Sequence, residues 1–434
     1  MLAAYLGVVL MVAAAAPPAP AAVPSPAALP DRPLSLDDCV VIALAHNPQI
    51  TASQQGVIAA EAGLTRARSS YYPQLSLDSV EGFTGSTLGN ADSRQDLDLT
   101  ARLTLWRRGR AENVAVSATS LHASELGHVS TVRDLVQQVA GNYYAVLAAH
   151  ELLAVAQGGV ESAQSHLEQV KARAALGAAA EVDVFPADDD LARAELDLID
   201  ARSDVRLALA RLKNTLGVPP DTALDLAPAA PAVAGEFPPL AEALQTARTR
   251  RSELMQAEAV TRASRYAVTL ARIGRGPLLD VSAQYDRGYA DWNALDPAWG
   301  FLLTASWPLF DGYATRSDET SARAQLSRSE ANLQQAINQV GLEVENALVE
   351  AERTRERVDA SAKSVAAAQA RLAAAEGKYH QGVGILLEVI DARVAVTSAL
   401  ANQVRARYDH QTALVNLQRA IGTLAPPAAA PAGG

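Results

Sequence analysis

The chain has 434 residues, of which 49% are apolar but only 5% aromatic, and this mix suits helices packed side by side better than one thick globular core. Its net charge of −11, with no basic stripe in the sequence, argues against a protein that binds nucleic acid. The single cysteine, Cys39, excludes an internal disulfide and a four-cysteine metal site.

The chain begins with an apolar run, residues 2–16, that is too short to cross a bilayer as a helix. Prolines and small residues follow, so we expect residues 1–22 to be a secretory signal peptide. We expect no later stretch to be long and apolar enough for a transmembrane helix. If the protein enters a membrane, it must therefore do so as a closed β-barrel.

The remaining sequence contains one unit twice. Residues 73–77 (Pro-Gln-Leu-Ser-Leu) match residues 277–281 (Pro-Leu-Leu-Asp-Val) at a shift of 277 − 73 = 204, and further on Gly217 matches Gly422 at a shift of 205. We assign the repeats to residues 34–216 and 240–422. A linker rich in Pro and Ala, residues 217–239, joins them, and we expect residues 423–434 to be a disordered tail.

Each repeat predicts one β-hairpin. Apolar residues occupy the odd positions of residues 97–105, 279–285 and 299–309, and this alternation indicates strands, whereas residues 75–85 form a fourth, less regular segment. Turn-like residues stand at 89–90 and 293–297. All four tryptophans lie in or beside the hairpins: Trp106, Trp292, Trp299 and Trp307. Aromatic residues at strand ends are typical of membrane barrels, although a soluble β-sandwich would also bury such residues.

A very long helix is predicted after each hairpin, because no proline occurs from residue 74 to 185 or from 309 to 425. Both helices carry an apolar heptad stripe, and the second copy has a parallel stripe of smaller residues. The stripes are Val132, Val139, Val146, Leu153, Val160, Leu167 and Ala174; Ile337, Val344, Ala351, Val358, Val365, Leu372 and Tyr379; and Leu333, Val340, Ala347, Thr354, Ser361, Ala368 and Ala375. About 65 residues correspond to roughly 100 Å of helix. Glycine-containing turns at Gly177 and Gly382 end these helices, and a second helix then returns.

These elements predict an α+β fold that is mostly α, a duplicated unit of long coiled-coil-like helices plus a β-hairpin. One chain supplies four strands, whereas single-chain barrels begin at about eight. In lipid every strand edge must be paired. We therefore expect a homotrimer with a 12-stranded β-barrel that an α-helical barrel continues.

The order of these features, found twice, resembles the TolC-type outer-membrane efflux family over residues 34–422. The opening segment 34–48, the strand start at residues 73–75, the Pro-Leu-Phe-Asp-Gly motif at 308–312 and the segment 382–392 carry this resemblance. It implies an exit duct in the outer membrane of a Gram-negative bacterium, in contact with outer-membrane lipid, for a tripartite efflux or type I secretion system. The implied partners are a periplasmic adaptor protein and an inner-membrane transporter, with the helical part in the periplasm and the Gly177 and Gly382 turns at its tip.

At this tip the resemblance implies a constriction formed by Asp183, Tyr379, Glu388 and Asp391. Glu388 and Asp391 are three residues apart and so share a helix face, which in a trimer predicts two acidic rings, with Asp183 adding a third. The alternative is a solvated acidic helix face. Members of this family can carry a latching arginine where this chain has Gly384, so the sequence leaves open how the tip is latched.

No phosphate-binding loop, His-Glu-x-x-His motif or nucleophile elbow occurs in the sequence, so we expect neither an enzyme nor a bound cofactor or metal. The alternative from another functional class is a periplasmic adaptor or an extended coiled-coil interaction protein. Such a protein would have heptads but no need for two aromatic-rich hairpins.

Overall fold

The computed structural model of the chain describes residues 32–85, 91–176, 180–228, 237–290, 293–294, 297–381 and 383–426. The predicted signal peptide, Trp292, Gly177, Gly382 and residues 427–434 of the predicted tail lie outside the described residues.

The two repeats contain the same elements in the same order, which confirms the predicted α+β, mostly α class. The first repeat consists of α1 (Leu36–His46), α2 (Pro48–Ser69), β1 (Gln74–Gly85), β2 (Ala91–Arg107), α3 (Arg110–Ala175), a 3-10 turn (Glu181–Asp183) and α4 (Val184–Leu216). The second consists of α5 (Leu240–Arg250), α6 (Ser252–Arg272), β3 (Leu278–Ala290), the two-residue β4 (Asn293–Ala294), β5 (Ala298–Ser306), α7 (Ala314–His380) and α8 (Leu386–Ile421).

The opening helix of each repeat ends after eleven residues and a second helix starts at once. In the first repeat Pro48 begins α2, a position where its missing N–H is not needed, and the Asn47 side chain caps α2 by accepting from the Gln49 amide at 2.8 Å. The side-chain amide of Asn47 also donates to the carbonyl of Thr215 at 2.8 Å, near the end of α4. This break therefore ties the start of the repeat to its last helix.

The returning helices α4 and α8 end on left-handed glycines, Gly217 (φ 73°) and Gly422 (φ 82°). A Cβ on Gly217 would lie 2.6 Å from the carbonyl oxygen of His46, and one on Gly422 would lie 3.1 Å from the carbonyl carbon of Arg250. Glycine is thus required twice over, for its positive φ and for the close approach to the opening helix.

The strands form one antiparallel sheet in the order β1-β2-β3-β5, with β4 also paired to β3. The register aligns the even, polar positions of β1, β2 and β3 on one face, so that Asp78, Asp98 and Asp286 stand side by side. A bulge between Thr104 and Trp106 lets the β2 end rejoin the opposite, apolar face, since Trp106 pairs with Leu279.

The predicted second turn at residues 293–297 differs from the structure. Asn293 pairs with Ala290 and Ala294 pairs with Tyr289, so the strand pairing extends into that segment. Asn is turn-prone by propensity, but the backbone pairing with β3 prevails over that preference.

The long helices pack as two antiparallel pairs, α3 with α4 and α7 with α8, which join where α3 contacts α8. The row of helices therefore runs α4, α3, α8, α7. All positions of the predicted heptad stripes are buried or half-buried, which confirms them as packing seams. Buried positions recur at the shift of 205, as for Val139 and Val344 or Tyr143 and Leu348.

The first part of the predicted linker is packed onto the fold. Leu226 forms a parallel bridge with Leu34, and the buried Tyr143 donates its hydroxyl hydrogen to the carbonyl of Ala227 at 2.6 Å. The sequence predicted only a linker here, because its proline and alanine content hides backbone pairing with a residue about 190 positions away.

Within the described residues one helix, Arg110–Ala175, contains an 18-residue window apolar enough for a membrane span by length and composition, with 39% of that window buried. By this measure the expectation that no later stretch is long and apolar enough for a transmembrane helix does not hold. Alanine, leucine and valine of a packed core helix satisfy the same test, and this helix is α3, which packs against α2, α4, α6 and α8.

Candidate functional site

The turn between α7 and α8 closes tightly at Gly384. The amides of Val383 and Gly384 both donate to the carbonyl of Lys378 at 3.1 Å. A Cβ on Gly384 would lie 2.9 Å from the Cβ of Lys378 and 3.0 Å from the amide nitrogen of Tyr379. This backbone arrangement leaves no room for a side chain at position 384, so an arginine latch there would require a different turn.

Tyr379, at the end of α7, is held by side chains of the first repeat. The Arg173 guanidinium lies over its ring at 4.7 Å from the centroid, and the ring of His166 stands edge-on at 6.2 Å. The Tyr379 hydroxyl is buried without a hydrogen-bond partner among the described residues. Tyr379 therefore joins α3 and α7 near the tip, and the sequence missed Arg173 as its partner because Arg173 lies 206 residues earlier.

His166 lies next to this contact and is only 2% exposed. Burial lowers the pKa of His166 to about 4, and the positive charge of Arg393 contributes to this lowering. Arg393, on α8, donates to the carbonyl of Ser162 on α3 at 2.6 Å and to the Glu376 carboxylate on α7 at 3.1 Å. This one side chain thus ties three helices together below the tip.

Two of the predicted acidic residues, Glu388 and Asp391, lie on α8, and the third, Asp183, lies in the first repeat. Val389 and Ala392 are buried against Ala375 of α7, whereas Glu388 and Asp391 are exposed beside this contact. Asp183 is half-buried at the end of the 3-10 turn, where α4 begins. The structure thus brings Glu388 and Asp391 onto one exposed face, keeps Tyr379 on the packed side and places Asp183 on the other repeat.

Comparison with known proteins identifies the family. The family model described as "Outer membrane efflux protein" matches residues 40–218 and 243–423, most of the chain. The chain belongs to the outer membrane efflux protein family.

Among curated relatives of this efflux protein, Protein CyaE of Bordetella pertussis is 29% identical over 400 residues, which cover 90% of this chain and 84% of CyaE. Outer membrane protein TolC of Escherichia coli is 24% identical over 404 residues, which cover 87% of this chain and 80% of TolC. The crystal structure of the Campylobacter jejuni CmeC outer membrane channel has the same fold, with a TM-score of 0.80 at 16% identity and coverage of 91% of this chain and 87% of CmeC.

Membership of the family places the chain in the outer membrane, as an exit duct with its helical part in the periplasm. The predicted family and function are therefore confirmed, and the periplasmic adaptor alternative is set aside. The family consists of channel proteins.

A groove with a cavity volume of about 980 Å³ runs along this efflux protein between α3, α4 and α8. Its α4 wall carries four carboxylates and its α8 wall two guanidinium groups: Asp190, Asp197, Asp200, Asp204, Arg393 and Arg405. Partial burial raises the pKa of the Asp190 carboxyl, although Arg393 and Arg193 act to lower it.

A group of charges around two buried arginines, which we call the ion-pair junction, joins α3, α6, α7 and α8 away from the tip. Arg419 donates to Asp134 at 2.8 Å and to Glu253, and Arg251 donates to Glu253 at 3.2 Å and to Glu343 at 2.6 Å. Both arginines are buried. The first repeat has Asn47, Gln49 and Asn214 at the positions of Arg251, Glu253 and Arg419, and the second repeat has Gln339 at the position of Asp134, so the junction occurs only once in the chain.

Proposed function

We propose that three copies of this chain form the exit duct of a tripartite efflux or type I secretion system. Twelve strands form a barrel in contact with outer-membrane lipid, and twelve long helices form a periplasmic tunnel whose tip meets a periplasmic adaptor protein and an inner-membrane transporter. The observation that carries the proposal is a sheet with one apolar face, one polar face and two open edges.

The open edges belong to β1 and β5. In the described part of the chain β1 pairs with β2 and β5 pairs with β3, so each keeps one free side. Unpaired backbone groups are not tolerated in lipid. Pairing β5 of one copy with β1 of the next removes every edge when three copies close a ring, and this favours a trimer over a monomer.

The two faces of the sheet fit lipid outside and water inside. The odd positions of β5 are the exposed apolar residues Trp299, Phe301 and Leu303. On the other face the row of Asp78, Asp98 and Asp286 places like charges on adjacent strands, which is unfavourable unless water solvates them. This polarity supports a water-filled lumen rather than a packed β-sandwich.

We infer that the tip is a narrow entrance that prefers cations. In a trimer the exposed Glu388 and Asp391 form two rings of three carboxylates, and the half-buried Asp183 forms a third near them. Rings of carboxylates in a constriction raise the local concentration of cations and repel anions. The rival interpretation, a solvated acidic helix face, predicts no such selectivity.

Native mass measurement in detergent should give three chains, and the purified trimer in a planar bilayer should conduct cations better than anions. Replacing Glu388→Gln together with Asp391→Asn should lower the cation-to-anion permeability ratio to roughly half, because the negative charge of two rings is lost. The matched control removes two exposed acids far from the tip in sequence and fold, Asp221→Asn with Glu242→Gln, and should leave the ratio unchanged.

A stable monomer with intact strands would contradict the trimer. A trimer whose ion preference survives the tip double variant would contradict the acidic constriction while leaving the exit duct itself in place.

A further inference from the structure

The contact between α3 and α8 contains a specific polar pair. The Glu151 carboxylate on α3 accepts two hydrogen bonds from Arg407 on α8, at 2.6 and 2.7 Å, and one from the Tyr408 hydroxyl at 2.7 Å. Beside it the ring of Tyr144 lies 6.5 Å from that of Tyr408. This pair fixes how the two halves of the chain are aligned along their long axes.

The positions that correspond to this pair in the other repeat lie on the outer helices, α7 and α4, and hold the same two charges. Adding 205 to Glu151 gives Glu356 on α7, and subtracting 205 from Arg407 gives Arg202 on α4. Both side chains are exposed, and neither has a hydrogen-bond or ion-pair partner in the part of the chain that the structure describes. The same pair of opposite charges therefore exists a second time, split between the two ends of the helix row.

The same mapping places exposed apolar residues beside these two charges on the outer helices. Tyr144 and Gln137, which face α8, correspond to Val349 and Leu342 on α7, which are 58% and 53% exposed. Val404 on α8 is only 8% exposed, whereas its counterpart on α4, Ile199, is 56% exposed. Positions that are covered at the internal α3–α8 contact therefore carry exposed apolar side chains on the outer helices α7 and α4.

We propose that α4 of one copy packs against α7 of the next copy in the register of the internal α3–α8 contact, with Arg202 bound to Glu356 of the neighbour. The occupant of each free face is a second copy of this chain. The face of α4 presents Arg202 beside the exposed Ile199, and the face of α7 presents Glu356 and the exposed Val349. The inference rests on the proposed trimer and deepens it, because a head-to-tail contact of this kind closes a ring when the rotation between copies fits.

The proposed contact differs from the internal one at the ion-pair junction. Asp134 and Arg419 correspond to Gln339 on α7 and Asn214 on α4, so a pair of neutral amides replaces the buried ion pair. Arg202 with Glu356 is then the charged pair that fixes the register between copies at this mapped contact.

Cysteine cross-linking tests the register directly. A Cβ on Gly159 would lie 3.8 Å from the Cγ2 of Thr397, so these two positions face each other closely enough to be tested with a pair of cysteines. The corresponding exposed residues on the outer helices are Ser364 and Ala192. Ala192→Cys with Ser364→Cys, in a Cys39→Ala background, should give covalent dimers and trimers of the chain on oxidation in outer membranes.

The matched control is Gly159→Cys with Thr397→Cys in the same background. It should form a disulfide within one chain and give no covalent oligomer. Each single variant of the outer pair should likewise give no oligomer beyond a random background. Covalent oligomers from the outer pair together with none from the control support the proposed register.

Charge reversal tests the ion pair. Arg202→Glu or Glu356→Arg should lower the ratio of trimer to monomer about tenfold, because each change places like charges together at three contacts, and the double reversal should restore most of the ratio. Asp359→Arg reverses a charge one turn along α7, where the α3 counterpart Ala154 stays exposed, and should have little effect.

The outcomes separate the register from the proposed function. Native trimers without cross-links, and with no loss on charge reversal, would overturn the register and leave the exit duct intact. A wild-type chain that stays monomeric in detergent and in membranes would instead overturn the trimer on which the proposal rests.

Discussion

The ion-pair junction contains two buried arginines of the second repeat, Arg251 and Arg419. Burial raises the pKa of Glu253, but the hydrogen bond from Arg419 and the charges of Arg251 and Arg419 outweigh it and lower this pKa to about 2. The charged form of Glu253 is therefore strongly favoured in the folded chain. Removing Glu253 leaves the buried Arg251 and Arg419 with one carboxylate partner fewer each, and this costs stability because both charges stay buried.

Glu253→Gln should lower the free energy of unfolding by about 2 kcal/mol at neutral pH, as measured by thermal or denaturant unfolding in detergent. The wild type should in addition lose stability as the pH falls from 4.5, the ordinary value of this carboxyl, towards 2, because the unfolded chain binds the proton first. The variant should lack this part of the acid dependence.

Glu242→Gln removes an exposed carboxylate of the neighbouring helix α5 and serves as the control, with a change below about 0.5 kcal/mol. Equal stability of the Glu253 variant and the wild type at neutral pH would show that the junction is not a stabilising group.

The sequence could not predict these contacts at the level of residues. Arg251, Glu343 and Arg419 carry no periodic pattern, and apart from the pair of Arg251 with Glu253 their partners lie 92 to 285 positions away along the chain. The heptad stripe includes Tyr379, but only the resemblance assigns it to the tip, and its neighbour Arg173 has no motif of its own. One signal was available, since the duplicated positions Asn47, Gln49 and Asn214 are neutral and the difference between the repeats marks the charged residues.

Whole elements were far more predictable than these residues. Heptads, proline gaps and alternation are local and periodic, and they predicted both long helices and the four main strands. The exceptions are places where tertiary pairing prevails: the bridge of Leu226 to Leu34, the pairing of Asn293 with Ala290 and the bulge before Trp106.

The heptad seam of α7 makes a direct prediction for that element. Val344 is fully buried between α5, α7 and α8, so Val344→Asp places a carboxylate in an apolar contact and should cost at least about 3 kcal/mol. The yield of folded protein in outer membranes should fall strongly.

Asn346→Asp adds the same charge two residues along α7 at an exposed position and should be tolerated. Normal amounts of folded Val344→Asp protein would mean that this stripe does not hold the helices together.

At the scale of the whole molecule the two repeats have similar backbones but differ in the charged contacts that their side chains make. Their cores use equivalent positions, such as Leu212 with Leu417 and Leu216 with Ile421. By contrast, the buried Arg419 binds Asp134 where the repeats meet inside one chain, whereas the mapped positions of this pair, Asn214 and Gln339, are neutral. A duplicated chain can in this way keep a sixfold-like tunnel while giving its internal and external contacts different strengths.

The two tryptophans at the ends of β5 predict how deeply the whole molecule sits in the membrane. Trp299 and Trp307 are 81% and 65% exposed and stand at the two ends of this strand, about 26 Å apart along it. Membrane barrels have strands tilted by about 35–45° and an apolar band about 25 Å tall between two aromatic girdles, so this length of strand crosses about 20 Å, most of the band. We therefore expect both indoles at the lipid headgroup level, on opposite sides of the membrane.

Variants that keep one tryptophan and replace the others by phenylalanine test this position by fluorescence quenching with brominated lipids. Trp299 and Trp307 should each be quenched at least about twofold more by lipids brominated near the headgroup than by lipids brominated near the chain end. Leu303→Trp, midway along the same face of β5, should show the reverse order and is the matched control. If Trp299 and Trp307 both behave like the tryptophan at position 303, the apolar face of the sheet does not cross the bilayer in the proposed orientation.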